Sequence, residues 1–229
     1  MQALVSGANR GLGFEMTRQL LARGDRVVAA CRHPGKALAL TRLAGEHPGR
    51  LHVLPLDLAD PRTIAELSRE IGVLDLDIDL LVNNAGVLVE HERFGEVEPK
   101  SLGVSFAVNA EGAFLLTQAL NPHLADGAKV VNFSSTLGSI ANTSSLYSPS
   151  YAISKAALNM ATRLLSIALA ERGIVVVSMS PGWVRTDMGG AGAPLKPEAA
   201  IASMLRVIDH LKRTDGGRFL SQNGETIPW

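Results

Sequence analysis

The chain has 229 residues, with 22 Lys and Arg balancing 22 Asp and Glu; 46% of the residues are apolar and 19% are charged. A formal net charge of zero provides no long-range field for a polyanion, so neither nucleic acid nor a membrane surface is expected as a partner. The length suits a single α/β domain over residues 1–229, and the lone Cys31 excludes an intrachain disulfide and fits a reducing, cytoplasmic setting.

Strand-like sequence begins at Gln2, leaving no room ahead of it for a signal peptide. No apolar run approaches the roughly 20 residues that span a bilayer. Short β-rich runs then alternate with helical stretches: strands are expected at "ALVSG" from Ala3, "RVVAAC" from Arg26, "LHVLPL" from Leu51, "IDLLVN" from Ile78, "AKVVNFS" from Ala128, "IVVVSMS" from Ile174 and "GRFL" from Gly217. Helices are expected over Gly13–Arg23, Pro61–Ile71, Leu102–Leu124, Tyr151–Arg172 and Pro197–Lys212. Gly24 and Gly173 stand where a left-handed cap is wanted, and Pro61 and Pro197 suit first-turn positions. Several strands are continuously apolar, as in a sheet covered on both faces. The alternation predicts right-handed β-α-β units. The expected fold is therefore a doubly wound α/β Rossmann fold: a mostly parallel, seven-stranded sheet with helices on both faces.

"SGANRGLG", Ser6 to Gly13, follows the first strand and opens the first helix, where an open α/β sheet binds a dinucleotide. Glycines let backbone amides approach a pyrophosphate, and the helix N-terminus favours its charge. The spacing is Gly7-x-x-x-Gly11-x-Gly13, and such glycines can also serve a turn alone. At the end of the second strand, where an NAD site commonly carries an acid, the chain has Cys31 and Arg32. Arg10 in the glycine turn could join Arg32 around a ribose 2′-phosphate, favouring NADP (NADPH), although either arginine alone could be a solvated surface residue.

In "SPSYAISKAALNMA" Tyr151 precedes Lys155 by four residues, putting a phenol and an ammonium on one helix face. Carbonyl reduction needs a hydride on carbon and a proton on oxygen, and the ammonium, with the positive nicotinamide ring of an oxidised cofactor, is expected to lower the phenol's pKa towards neutrality. No metal site is expected: the six histidines are scattered, and "DLDIDLL" (Asp75 to Leu81) lacks the Gly and Glu of a calcium loop.

"SGANRGLG", "NNAG" (Asn83 to Gly86), "NFSS" (Asn132 to Ser135), "YAISK" (Tyr151 to Lys155) and "PGWVRTDM" (Pro181 to Met188) occur in the order of the short-chain dehydrogenase/reductase superfamily, which the chain resembles over nearly its whole length. "PGWVRTDMGG", "SKAALNMA" and "IPW" resemble its C-factor and sniffer branch of carbonyl-reductase-like proteins. The resemblance implies an NADPH-dependent oxidoreductase acting on a small-molecule carbonyl. Tyr151 would be the proton donor, Ser135 would bind the substrate carbonyl and Lys155 the nicotinamide ribose. Asn109 would hold a water that relays protons to Lys155. Ser134 competes for the serine role, but strand alternation points it the other way. The cofactor contacts implied are Gly7, Asn9, Arg10, Gly11, Leu12, Gly13, Arg32, Asp57, Leu58, Asn83, Ala85, Gly86, Pro181, Gly182, Val184 and Thr186. Asp57 could equally be a helix cap.

Sixteen positions separate Ser135 from Tyr151, longer than is usual in the superfamily but characteristic of the branch. "TDMGGAGAPLKP", Thr186 to Pro197, reads as a mobile lid. Val87, Leu137, Leu146, Tyr147, Trp183 and Met188 are the expected pocket walls, suiting a small hydrophobic or aromatic carbonyl. Apolar surface on the long helices points to a homodimer or homotetramer. The alternative to an enzyme is a C-factor-like signalling protein that binds the dinucleotide with incidental turnover.

Overall fold

The computed structural model describes residues 1–229. Seven strands, β1 (Gln2–Ser6), β2 (Arg26–Cys31), β3 (Leu51–Pro55), β4 (Ile78–Asn83), β5 (Leu124–Phe133), β6 (Val175–Ser180) and β7 (Phe219–Ser221), form one sheet in the order β3-β2-β1-β4-β5-β6-β7. Every neighbouring pair is parallel. Strand alternation sends Val27, Ala29 and Cys31 to one face and Val28 and Ala30 to the other. The first face packs on α1 (Gly11–Ala22), α2 (Leu38–Glu46) and α7 (Pro197–His210) through Met16, Leu20, Leu40, Ile201 and Met204. The second packs on α3 (Pro61–Val73), α5 (Gly112–Leu120) and α6 (Pro149–Ala168) through Ile64, Leu67, Leu116 and Leu165. Burial on both faces accounts for the continuous apolar strands.

Several elements depart from the sequence expectation. The helix read over Leu102–Leu124 is three pieces: α4 (Pro99–Phe106), a π-helical turn at Ala107–Glu111, and α5. Asn121–His123 then forms a single 3-10 turn, and Leu124 already belongs to β5, because Pro122 cannot donate to the helical ladder. Helix α2 has no counterpart among the expected elements: it is nine residues long with two buried leucines, Leu40 and Leu43, too short for a clear period. The helix expected over Tyr151–Arg172 instead starts at Pro149 and closes at Ala168. Gly24 and Gly173 take the left-handed conformation after helices, at φ 91° and 68°.

A polar row crosses the apolar sheet. Asn83, Asn132 and Ser178 are register partners on β4, β5 and β6, and all three are buried. The Asn83 amide donates to Asn132 Oδ1 at 2.7 Å and to Thr117 Oγ1 at 3.0 Å. Asn132 Nδ2 donates to Thr162 Oγ1 at 2.7 Å, and Thr162 meets the Ser178 hydroxyl at 2.8 Å. The row therefore ties three strands to α5 and α6.

Close helix approach is set at Gly112, where an added Cβ would lie 2.5 Å from Leu58 Cβ and 2.7 Å from the Leu58 carbonyl oxygen. Backbone cannot yield cheaply there, so Gly112→Ala is expected to destabilise the fold by about 1–3 kcal/mol. Differential scanning calorimetry should show a fall in Tm of about 2–4 °C per kcal/mol.

Candidate active site

A cavity of about 640 Å³ runs along the carboxyl edge of the sheet, from the glycine turn after β1 to the loops after β5 and β6. It crosses the point where strand order reverses, between β1 and β4, which is where open α/β sheets bind ligands.

At the glycine turn, Gly7 and Gly11 have φ of 65° and 56°. A Cβ on Gly7 would sit 2.8 Å from Ala85 Cα, so only glycine lets the turn close against the loop after β4. Asn84 completes that closure, donating from Nδ2 to the carbonyls of Ser6 at 2.8 Å and Gly7 at 3.1 Å. The Ser6 hydroxyl accepts from the backbone amides of Asn84 and Ala85, each at 3.1 Å. Helix α1 has no side-chain cap at Arg10 and no acid in its first turn, leaving its amide donors and positive end for an anion in the cavity. Arg10 and Arg32 both line the cavity. These features fit a dinucleotide phosphate: a cradle that a side chain would fill, uncapped donors and two guanidiniums.

Gly7, Asn9, Arg10, Gly11 and Leu12 border the cavity, as do Arg32, Asp57, Leu58, Ala85 and Gly86. Across from them stand Ser135, Tyr151, Lys155, Pro181, Gly182, Val184 and Thr186. Gly13 lies behind this surface, where a Cβ would meet the Gly7 carbonyl at 2.4 Å, and supports the turn from beneath. Asn83 turns inward into the polar row rather than towards the cavity. Asp57 is not the cap of α3: Asp60 is, accepting from the Arg62 amide at 3.0 Å, while Asp57 closes a turn onto Ala59. Of the expected pocket walls Val87, Leu137, Tyr147, Trp183 and Met188 face the cavity; Leu146 does not.

The reactive corner is built where β5 ends against α6. Tyr151 and Lys155 are one turn apart on α6. The Lys155 ammonium donates to the Phe133 carbonyl at 2.7 Å and lies 5.5 Å from the centre of the Tyr151 ring. Lys155 is only 4% exposed, and burial pulls its pKa down to about 8. Burial pushes the Tyr151 phenol the other way, up to about 12, opposed by the nearby Ser135 hydroxyl. This reverses the direction read from the sequence. Among the protein's own groups, desolvation of the phenolate outweighs the neighbouring cation, whose proton is directed at Phe133.

Ser134 and Ser135, just beyond the end of β5, both border the cavity but take different partners. The Ser134 hydroxyl is buried on Asn159 Oδ1 at 2.7 Å, and Ser135 Oγ accepts from the Leu137 amide at 3.2 Å. Asn109 sits in the π-helical turn with its side chain engaged: Oδ1 accepts from the Val87 amide at 2.8 Å, and Nδ2 donates to the Val87 carbonyl and to Ser154 Oγ, both at 2.9 Å. It braces the loop after β4 against α6 and does not line the cavity.

Two participants escaped the sequence reading. Asn84 belongs to "NNAG", and its place beside the glycine turn is its one signal. Asp187 pairs with Arg10 at 3.0 Å, linking the segment after β6 to the phosphate end of the cavity, and no local pattern could reveal a contact across 177 positions. That segment, expected as a mobile lid, is internally bonded: Arg185 donates to Leu195 at 2.8 Å, and Trp183 Nε1 to the Gly189 carbonyl at 2.7 Å.

Among described residues no group of His, Cys, Asp and Glu could hold a metal ion, and no helix is long and apolar enough to cross a membrane. The C-signal protein of Myxococcus xanthus is 41% identical over 154 residues, 66% of this chain and 93% of that protein. The carbonyl reductase Sniffer of D. melanogaster superposes with a TM-score of 0.95 at 31% identity, covering 100% of this chain and 99% of its own. An NADPH-bound carbonyl reductase from chicken fatty liver superposes at 0.94 with 35% identity, covering 100% and 98%. The family model described as short chain dehydrogenase matches residues 1–194, so the chain belongs to the short-chain dehydrogenase/reductase family.

Proposed function

We propose that the protein reduces small hydrophobic ketones or aldehydes with NADPH, and that Tyr151 gives the proton. The observation that carries this reading is the meeting of Ser135, Tyr151 and Lys155 on one cavity wall, with the buried Lys155 ammonium 5.5 Å from the centre of the phenol ring. NADPH supplies the hydride when bound. Ser135 orients the substrate oxygen towards the Tyr151 hydroxyl, which is held protonated at neutral pH and is a better donor to a developing alkoxide than water. Lys155 would hold the nicotinamide ribose and keep a positive charge under the reacting corner, and Asn109 braces the loop after β4 against α6 beside it. Leu137, Tyr147, Trp183 and Met188 offer an apolar wall that suits a hydrophobic or aromatic substrate. The similarity to a carbonyl reductase with bound NADPH supports the cofactor choice, and Arg10 with Arg32 supplies its physical basis.

The whole chain acts in this reading as one domain, with residues 186–197 covering the cleft, in the reducing cytoplasm. Ile153, Met160, Leu164 and Ile167 form an exposed apolar stripe on one face of α6, beside exposed Leu102, Val104 and Phe106. A second copy packed on that stripe gives a homodimer. The 41% identity to C-signal favours a second reading, a regulatory protein whose dinucleotide binding matters more than its turnover.

Tyr151→Phe separates the two. Steady-state kinetics on a carbonyl panel should show turnover lost by a factor of roughly 10² or more, with NADPH binding retained. Wild-type turnover in this variant overturns the proton-donor role.

Arg10→Ala is expected to weaken NADPH binding by roughly tenfold or more, the loss of one charge-assisted bond, while leaving NADH nearly unchanged in fluorescence titrations. Equal losses for both cofactors would remove Arg10 from the 2′-phosphate.

Lys155 gives a pH signature. Its folded pKa of about 8 lies below the ordinary 10.5, so the unfolded chain holds the proton more tightly between those values. Stability must therefore rise with pH across that window, by up to about 3 kcal/mol relative to Lys155→Met. Urea unfolding of both proteins at pH 7 and pH 10 measures this difference, and a constant gap contradicts it.

A further inference from the structure

The segment Thr226–Trp229 folds back on the last strand. Thr226 bridges Leu220 in antiparallel fashion, and the Ile227 amide donates to the Phe219 carbonyl at 2.8 Å. The Trp229 ring stacks on Phe219 with centroids 5.6 Å apart and planes 20° from parallel, and Phe219 itself is fully buried. The turn thus presents two carbonyl oxygens in fixed positions.

Both are taken by the loop between Ser135 and Tyr151. The Ser139 hydroxyl, completely buried, donates to the Pro228 carbonyl at 2.6 Å, and the Ala141 amide donates to the Trp229 carbonyl at 2.8 Å. Ser139 then organises its own loop: its hydroxyl oxygen accepts from the Asn142 amide at 3.2 Å, and its carbonyl accepts from Thr143 Oγ1 at 2.7 Å. One residue earlier, Gly138 packs so tightly on α6 that an added Cβ would lie 2.8 Å from the Lys155 backbone. Its carbonyl accepts from Asn159 Nδ2 at 3.1 Å. The loop is therefore held between two anchors, α6 on one side and the Pro228–Trp229 carbonyls on the other. Ser135 begins it, Tyr151 follows it, and the wall residues Leu137 and Tyr147 belong to it.

We propose that Thr226–Trp229 is a strap that positions the loop carrying Ser135, and that Trp229 is a positioning residue for carbonyl reduction. This rests on the reading of the site as a carbonyl reductase. Loss of the Trp229 stack frees the strap, deprives Ser139 and Ala141 of their acceptors, and lets Ser135 and the apolar wall drift from the Tyr151 hydroxyl. Misplacement on the ångström scale is costly when two hydroxyls must meet one carbonyl oxygen. The glycine turn lies at the far end of the cavity and is untouched, so cofactor binding should not change.

The test uses the full chain with NADPH and 4-nitrobenzaldehyde, comparing Trp229→Ala, Trp229→Phe and Ser139→Ala with the wild type. Trp229→Ala should lower kcat/KM by roughly 10- to 100-fold with the NADPH Kd unchanged. Amide hydrogen exchange across residues 136–148 should accelerate in the same variant. Trp229→Phe keeps an aromatic ring over Phe219 and should restore both readouts; Ser139→Ala should reproduce part of the loss. Should Trp229→Ala fail to fold, the other two variants carry the same comparison. Unchanged kcat/KM and unchanged exchange in folded Trp229→Ala or Ser139→Ala overturn the strap, as does a lowered Tm with no selective effect on the aldehyde step. If the wild type itself fails to reduce any carbonyl, the reductase reading falls, while hydrogen exchange still tests the strap.

Discussion

The buried Lys155 ammonium and its bond to the Phe133 carbonyl set the terms for the rest of the molecule. A charge taken out of water costs several kcal/mol unless it is well paired, and here a single carbonyl is its one protein partner. That bond holds α6 against the end of β5, and the surrounding residues keep the two elements at that separation. Gly138 has no side chain because the Lys155 backbone leaves no space for one, and Asn159 joins Ser134 to Gly138 across the same gap. The depressed lysine pKa and the raised tyrosine pKa share one cause, exclusion of water from this corner. The features that give the site its chemistry are also those that make it costly to fold.

The other half of the cleft is governed by backbone geometry. Between β1 and β4 the chain needs two loops to touch, and Gly7, Ser6 and Asn84 provide the contact through a missing side chain and four short polar bonds. Asn109 fastens the next stretch of that loop to α6 from its π-helical turn. The phosphate end and the reactive corner are thus connected through the loop after β4, so the distance between them is fixed by covalent chain and hydrogen bonds.

Fold and site were legible in the sequence to different depths. Continuous apolar strands with alternating helices revealed the doubly wound sheet, because burial on both faces leaves a simple compositional trace. Many residues around the cavity were legible for a related reason: the glycine turn, Arg32, Ser135 and Pro181 follow the ends of strands, where the sheet's edge gathers them. Helix α2 was missed because nine residues with two buried leucines leave too little period to detect. The break between α4 and α5 was missed because a π-helical turn keeps its residues helical in character. The direction of the tyrosine shift could not be read, since it depends on how much water the folded chain removes, and spacing along a helix is silent on that. Partners such as Asp187 and Pro228 are far from Arg10 and Ser139 in the chain, and only folding brings them close.

The row formed by Asn83, Asn132 and Ser178 bears on how the sheet is assembled. In a hydrophobic sheet, sliding one strand by a residue exchanges one greasy side chain for another and carries little penalty beyond packing. Here the same slide would strand amides and hydroxyls among leucines and valines, at about 1–3 kcal/mol for each lost partner. These three adjacent strands therefore carry an alignment key that penalises any slipped pairing along the catalytic edge.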